Sequence, residues 1–257
     1  MMEHMRFVKG HGTGNDFVVL PDVDDRLTLT PELVAALCDR HRGIGADGVL
    51  RVVRVDGEWF MDYRNADGSL AEMCGNGVRV YARYLVSAGL APAGRIPIVT
   101  RAGRVTADAS GDTITVDMGL PKVLGPGRAV AGGIAYAGTA VDCGNPHLVC
   151  PVSDLSTVDL SRAPAVDPGE FPDGVNVSFF TGSAPSVAVR VYERGSGETL
   201  SCGSGALAVA AVALGGAPGT IAIDLPGGRL VATFDASTAW LAGPAVLVAT
   251  GDWTGGS

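Results

Sequence analysis

No basic run, no membrane-length apolar stretch and no clustered metal-ligand motif occurs in these 257 residues. The 19 Lys and Arg are scattered and outnumbered by 27 Asp and Glu, and the resulting net charge of −8 argues against nonspecific attraction to nucleic acid or to an anionic membrane surface. The longest apolar run, Leu207 to Leu214, is far too short to span a bilayer. The opening segment, Met1 to Phe7, lacks the apolar stretch of an export signal, so a soluble, cytoplasmic protein is expected. The five cysteines (Cys38, Cys74, Cys143, Cys150 and Cys202) are odd in number and irregularly spaced, which argues against a disulfide framework. No CxxC pair occurs and the four histidines do not cluster, so a tetrahedral zinc site has little support and no metal is expected.

What is present is an ordinary core composition, 47% hydrophobic with 18% charged, broken by 37 glycines and 15 prolines into many short elements. Thr30-Pro31-Glu32 reads as an N-cap, a proline at the first helical position and an early acid, predicting a helix from Pro31 to about Asp39. Phe7 to Lys9 and Phe17 to Leu20 read as strands, with Gly10 to Asp16 as the loop between them. Val49 to Val55 and Glu58 to Tyr63 make a hairpin around Asp56-Gly57. Strands are expected at Ile96–Thr100, Arg104–Ala109 and Thr113–Met118. The second half repeats the plan with strands near Ile134–Val141, His147–Val152, Val175–Phe180 and Ser186–Tyr192. After a glycine-rich loop and a second helix, strands follow at Thr220–Leu225, Arg229–Asp235 and Ala239–Leu241. The fold class is α+β, two pseudo-symmetric halves at residues 1–118 and 119–257, with the boundary near Gly119-Leu120-Pro121. Residues 245–257 pack on either half by this reading.

The repeat is anchored by two cysteine turns about half the chain apart. Met73-Cys74-Gly75-Asn76-Gly77 runs into the apolar segment from Val78 to Leu85, and Ser201-Cys202-Gly203-Ser204-Gly205 into Ala206 to Leu214. A thiol ordinarily ionises near pH 8.5, and a helix N-terminus lowers that value through its unpaired N–H groups and dipole. The same N–H groups hold a carboxylate, because glycine lets a ligand approach the backbone. Two facing turns would grip one α-carboxylate and set a sulfur on each face of its α-carbon. One thiolate would then remove the α-proton while the other thiol reprotonates the opposite face, with no cofactor required. A single buried cysteine is usually just a small apolar residue, the reading for Cys38, Cys143 and Cys150; the paired context is what distinguishes Cys74 and Cys202.

Longer motifs carry a resemblance. GHGTGNDFVVL (Gly10–Leu20), GIGADGVL (Gly43–Leu50), YRNADGSLAEMCGNGVRVYARYL (Tyr63–Leu85), GNPH (Gly144–His147), GVNVSF (Gly174–Phe179) and YERGSGETLSCGSGA (Tyr192–Ala206) occur in an order that resembles the diaminopimelate epimerase family over nearly the whole chain. The resemblance implies a PLP-independent isomerase of lysine and peptidoglycan synthesis, acting on diaminopimelate with Cys74 and Cys202 as its acid/base thiols. It implies that the backbone of Gly75-Asn76 and Gly203-Ser204 holds the reacting carboxylate. Asn15, Asn65, Asn176 and Arg194 are implied to bind substrate, the arginine suiting a distal carboxylate through bidentate pairing. Glu193 would meet an ammonium group, and Asn145 and His147 would line the site. The implied fold is two similar domains, each a strand-rich barrel-like layer around a central helix, with the active site in the cleft between them; the implied assembly is a homodimer. The chain departs from the pattern at Gly48, where some members carry Gln, and at Ser204, where Thr is common. The nearest alternative is a proline or hydroxyproline racemase, which shares the two-thiol logic but carries His where this chain has Asn76. Further alternatives are a phenazine-biosynthesis isomerase, which lacks this cysteine pair, a one-thiol cysteine hydrolase, and a non-catalytic binding module.

Overall fold

The structure is a computed structural model and describes residues 5–255. The chain divides into two compact units: the second is Asp117–Ala242, and the first comprises the chain up to Val116 together with the segment from Gly243 onward.

In the first unit, strands β1 (Met5–Gly12) and β2 (Asn15–Pro21) are followed by α1 (Pro31–Cys38), then β3 (Gly48–Val55), β4 (Glu58–Asn65), α2 (Gly75–Ser87), β5 (Arg95–Thr100), β6 (Gly103–Asp108) and β7 (Thr113–Asp117). Thr30 caps α1, its Oγ1 accepting from the Leu33 N–H at 3.3 Å. The β3–β4 hairpin turns on Asp56 and Gly57, both at positive φ (51° and 81°), as a two-residue hairpin of this twist demands. Pairing runs antiparallel for β1–β2, parallel for β2–β3, antiparallel for β3–β4, parallel for β4–β5, and antiparallel for β5–β6 and β6–β7. A parallel neighbour needs a crossover, and α2 is the crossover from β4 to β5. It packs against β1, β2, β3, β4 and β6, so it forms the centre of the unit.

The second unit starts with β8 (Lys122–Ala131), β9 (Ile134–Asp142) and β10 (Pro146–Pro151), then a 3₁₀ turn at Leu155–Thr157 and the short β11 (Ala165–Val166). There follow β12 (Asn176–Ser183), β13 (Ser186–Glu193), β14 (Gly197–Thr199), α3 (Gly203–Ala213), β15 (Gly219–Leu225), β16 (Gly228–Phe234) and β17 (Ala239–Pro244). Its ladder from β9 through β10, β12, β13, β15 and β16 to β17 repeats the sequence of pairings antiparallel, parallel, antiparallel, parallel, antiparallel, antiparallel. Helix α3 is the crossover from β13 to β15 and is wrapped by β9, β10, β12, β13, β15 and β16. Its Ala206 to Ala210 are essentially inaccessible and form one core with Val187, Val189, Ile221, Ile223, Leu230 and Leu241. Both units are therefore strand layers around one central helix.

Two features differ from the sequence expectation, and a third concerns the segment it left open. Gly10 to Asp16 is not a loop: β1 runs through Gly12, Thr13 and Gly14 make the turn, and β2 starts at Asn15. The glycines are there for clearance, since a Cβ on Gly10 would stand 2.9 Å from the Val246 carbonyl and one on Gly12 would stand 3.1 Å from the Asn76 carbonyl. Strand β8 was hidden by Gly125-Pro126-Gly127, which reads as a turn; Pro126 is tolerated because at that point β8 pairs only with β9. Finally, residues 246–253 form β18 (Val246–Trp253), which pairs antiparallel with β1 and packs on α2. It borders β1 as β8 borders β9, so each unit completes the same ladder with a strand from a different place in the chain.

Candidate functional site

Each cysteine is the N-cap of its unit's central helix. Cys74 has extended backbone (φ −140°, ψ 119°), as has Cys202 (φ −123°, ψ 116°), and neither side chain caps its own helix. The Cys74 carbonyl accepts from the Val78 N–H at 2.8 Å and the Cys202 carbonyl from Ala206 at 2.9 Å. Both thiols thus stand beside the first N–H groups of a helix, where intrahelical acceptors are missing and the dipole favours negative charge.

In the first unit three predicted residues meet directly. The Cys74 Sγ donates to Asn15 Oδ1 at 3.5 Å, and Asn76 Nδ2 donates to the same oxygen at 3.3 Å. Asn15 is oriented from its other side, since its Nδ2 donates to Asp47 Oδ2 at 2.7 Å. Asp47 in turn accepts from Arg40 at 2.8 Å. Beside it, Asp16 pairs with Lys9 at 2.6 Å and with Arg40 at 2.8 Å; burial opposes its ionisation, but these two cations hold its carboxyl at about 2. Behind α2, Asn76 Oδ1 accepts from the buried Arg79 Nη2 at 2.8 Å. Asn65 lies outside this chain of bonds, at the end of β4 opposite Gly48, with its Nδ2 donating to Ser69 Oγ at 2.9 Å. Gly48 has no room for a side chain, because a Cβ there would stand 2.5 Å from the Arg64 carbonyl.

The second unit arranges the others around Cys202. Cys202 is 5% exposed, and burial first, then the Glu193 carboxylate that accepts its hydrogen bond, push its thiol pKa well above the usual range. Ser204 Oγ lies 3.6 Å from the sulfur. Glu193 Oε1 also accepts from Thr199 Oγ1 at 2.5 Å, which steers the carboxylate. Asn176 ties two strands together: its Nδ2 donates to the Pro146 carbonyl at 3.1 Å and its Oδ1 accepts from the Arg194 N–H at 3.0 Å. The Arg194 side chain is exposed and rests Nη1 on the Asp173 carbonyl at 2.8 Å, with no carboxylate among the described residues paired to it. His147 is fully buried, with Nε2 3.0 Å from Asn145 Oδ1. Burial lowers its pKa to about 4, so the ring is neutral at pH 7.

Sequence reasoning missed the residues that hold the predicted ones: Asp47 behind Asn15, Arg79 behind Asn76, and Thr199 behind Glu193. A signal existed for Arg79, which follows Asn76 by three positions and so shares its helix face.

Comparison with solved structures sets the class of fold. A phenazine biosynthesis protein of the PhzF family from Bacillus anthracis is similar at a TM-score of 0.72 and 17% identity, covering 98% of this chain and 99% of that one. A hydroxyproline epimerase from Agrobacterium vitis is similar at a TM-score of 0.69 and 15% identity, covering 98% and 92%. At such identities these likenesses speak of the fold alone. Sequence comparison goes further. Residues 7–124 and 139–254 match the family model for diaminopimelate epimerase. A diaminopimelate epimerase of Mycolicibacterium smegmatis is 50% identical over an alignment 281 positions long, covering 96% of each chain. The chain belongs to the diaminopimelate epimerase family.

Proposed function

We propose that this chain interconverts LL- and meso-2,6-diaminopimelate, serving lysine and peptidoglycan synthesis as an amino-acid epimerase that uses two thiols. The observation that carries the reading is the repeated half-site: each unit offers one cysteine at the backbone-only N-cap of its central helix.

One thiolate takes the α-proton. The electron pair of the broken C–H bond delocalises into the carboxylate as an enediolate, and the other thiol gives its proton to the opposite face, leaving the centre inverted. The N–H groups of Gly75-Asn76 and Gly203-Ser204 receive the carboxylate and stabilise the charge that develops on it. In the free protein Cys202 keeps its proton, because burial and Glu193 both oppose the thiolate. A substrate ammonium at Glu193 neutralises that carboxylate, so binding removes part of the opposition. Arg194, with its guanidinium toward solvent, takes the distal carboxylate, while Asn15, Asn65 and Asn176 fix polar groups along the ligand. Asn145 and the neutral His147 supply uncharged contacts. Thiols and N–H groups account for every proton and charge movement, so no cofactor enters the scheme. The reading includes a cytoplasmic homodimer that binds neither nucleic acid nor membrane; no helix among the described residues is long and apolar enough to cross a membrane.

The test is incubation of reduced protein with LL-diaminopimelate in D₂O, following deuterium at the α-carbon and formation of the meso isomer. Cys74→Ala and Cys202→Ala should each lower turnover by about 10²–10⁴-fold, the usual contribution of a general acid or base. Exchange of proline in place of diaminopimelate would move the assignment to the proline racemase class. Full activity without Cys202 would leave a one-thiol enzyme.

A further inference from the structure

We propose that Arg79 is a positioning residue of the Cys74 half-site, fixing the Asn76 carboxamide and setting a positive charge behind the first turn of α2. Arg79 stands first among the largest fully buried side chains. A buried guanidinium is ordinarily paired with a carboxylate, because the desolvation of its charge is otherwise uncompensated. None of the described carboxylates pairs with this one, and Nη1 has no hydrogen-bond partner among the described residues. Its remaining contacts are neutral: Nη2 donates to Asn76 Oδ1 at 2.8 Å and to Thr13 Oγ1 at 3.3 Å, and Nε reaches the Pro244 carbonyl at 3.4 Å.

These contacts have a direction. A guanidinium only donates, so Asn76 must present its oxygen to Arg79 and its Nδ2 to Asn15, whose Oδ1 also accepts from the Cys74 thiol. Thr13, a β-branched residue, sits at φ 51° with its hydroxyl on Arg79, a strained backbone of the kind found where a fold holds a functional group in place. The other charges around this half-site are accounted for: Asp16 by Lys9 and Arg40, Asp47 by Arg40, and Glu72 by exposure to solvent. Arg79 alone is left uncompensated. Burial lowers its pKa to about 10 while Cys74 acts to raise it, so the group is charged at neutral pH. The position five residues after the second cysteine is Leu207, so the charge is no requirement of the repeated fold.

The experiment compares full-length native protein with Arg79→Met and Arg79→Lys in three measurements: thermal midpoint, peptide-resolved alkylation of Cys74 by iodoacetamide at pH 7.5, and steady-state deuterium exchange into diaminopimelate. Arg79→Met should leave the midpoint unchanged or raised, because it removes an uncompensated buried charge. It should slow Cys74 alkylation roughly tenfold without changing Cys202, and lower kcat about 100-fold with KM altered less than about threefold. Arg79→Lys should restore Cys74 alkylation to within about threefold of native. A Met variant with a lowered midpoint but native alkylation and kcat would make Arg79 merely structural. If the Met variant does not fold, the Lys variant decides, and a folded Lys variant whose Cys74 reacts about tenfold slower than native would overturn the charge assignment. The kcat measurement rests on the proposed function, whereas alkylation does not. Native protein that exchanges no diaminopimelate would therefore sink that function while the Cys74 rate still decides the role of Arg79.

Discussion

The two cysteine turns share a backbone and differ in charge. Cys74 and Cys202 both cap a central helix in the same extended conformation. Behind the first turn lies a buried guanidinium, and against the second thiol lies a carboxylate. The fold's repetition supplies matched geometry, and the side chains around it supply opposite electrostatics. Under the proposed function, the charge assigned to Arg79 would favour a thiolate at Cys74, whereas Glu193 and burial hold the proton on Cys202.

The sharpest way to break the comparison is Glu193→Gln. Removing the carboxylate should move the alkylation profile of Cys202 to lower pH and leave that of Cys74 in place. Under the proposed function the substrate ammonium loses its partner, so kcat/KM should fall about 100-fold, the worth of a charge-assisted hydrogen bond. An unmoved Cys202 profile would mean that burial alone protects its proton. A second test uses the buried imidazole of the second unit. The folded pKa of His147 is about 4 against an ordinary 6.5, so the unfolded chain binds the extra proton first as pH falls. The stabilisation is complete above the unfolded value and is lost between pH 6.5 and about 4, a change of roughly 3 kcal/mol. Urea titrations of native protein and His147→Gln from pH 7.5 to 4 should show that slope only in the native chain; parallel curves would remove the imidazole from the account. The smallest effect belongs to Ser204→Thr, which keeps the hydroxyl near Cys202 and should hold turnover within about twofold. A larger loss would show that the two turns differ in steric tolerance as well as in charge.

The cysteine turns could be read from the chain because their chemistry is local: a thiol, two glycines and an apolar helix lie within a few residues. The hairpin at Asp56-Gly57 and the cap at Thr30 were legible for the same reason. Strand β18 was not, because its place is decided by pairing with β1 at the far end of the chain. Gly10 and Gly12 looked like loop residues because clearance for a neighbouring backbone leaves the same mark in a sequence as flexibility does. The spacing of three from Asn76 to Arg79 could be read, but not its burial; Arg83 on the same helix is half-buried and bonds to the carbonyls of Gly111 and Asp112. Asp47 and Thr199 act through hydrogen bonds to Asn15 and Glu193, and no spacing rule records such a bond.

The return of the chain to its first unit bears on how the protein is made. The second unit is one continuous stretch, Asp117–Ala242, and can close as soon as that stretch leaves the ribosome. The first unit must wait, since β1 has only one neighbouring strand until residues 246–253 have been synthesised. The Pro244 carbonyl that meets Arg79 arrives in the same late segment. Translation therefore delivers the second half-site before the first, and a message cut short near codon 242 yields a protein whose Cys74 pocket never finishes assembling.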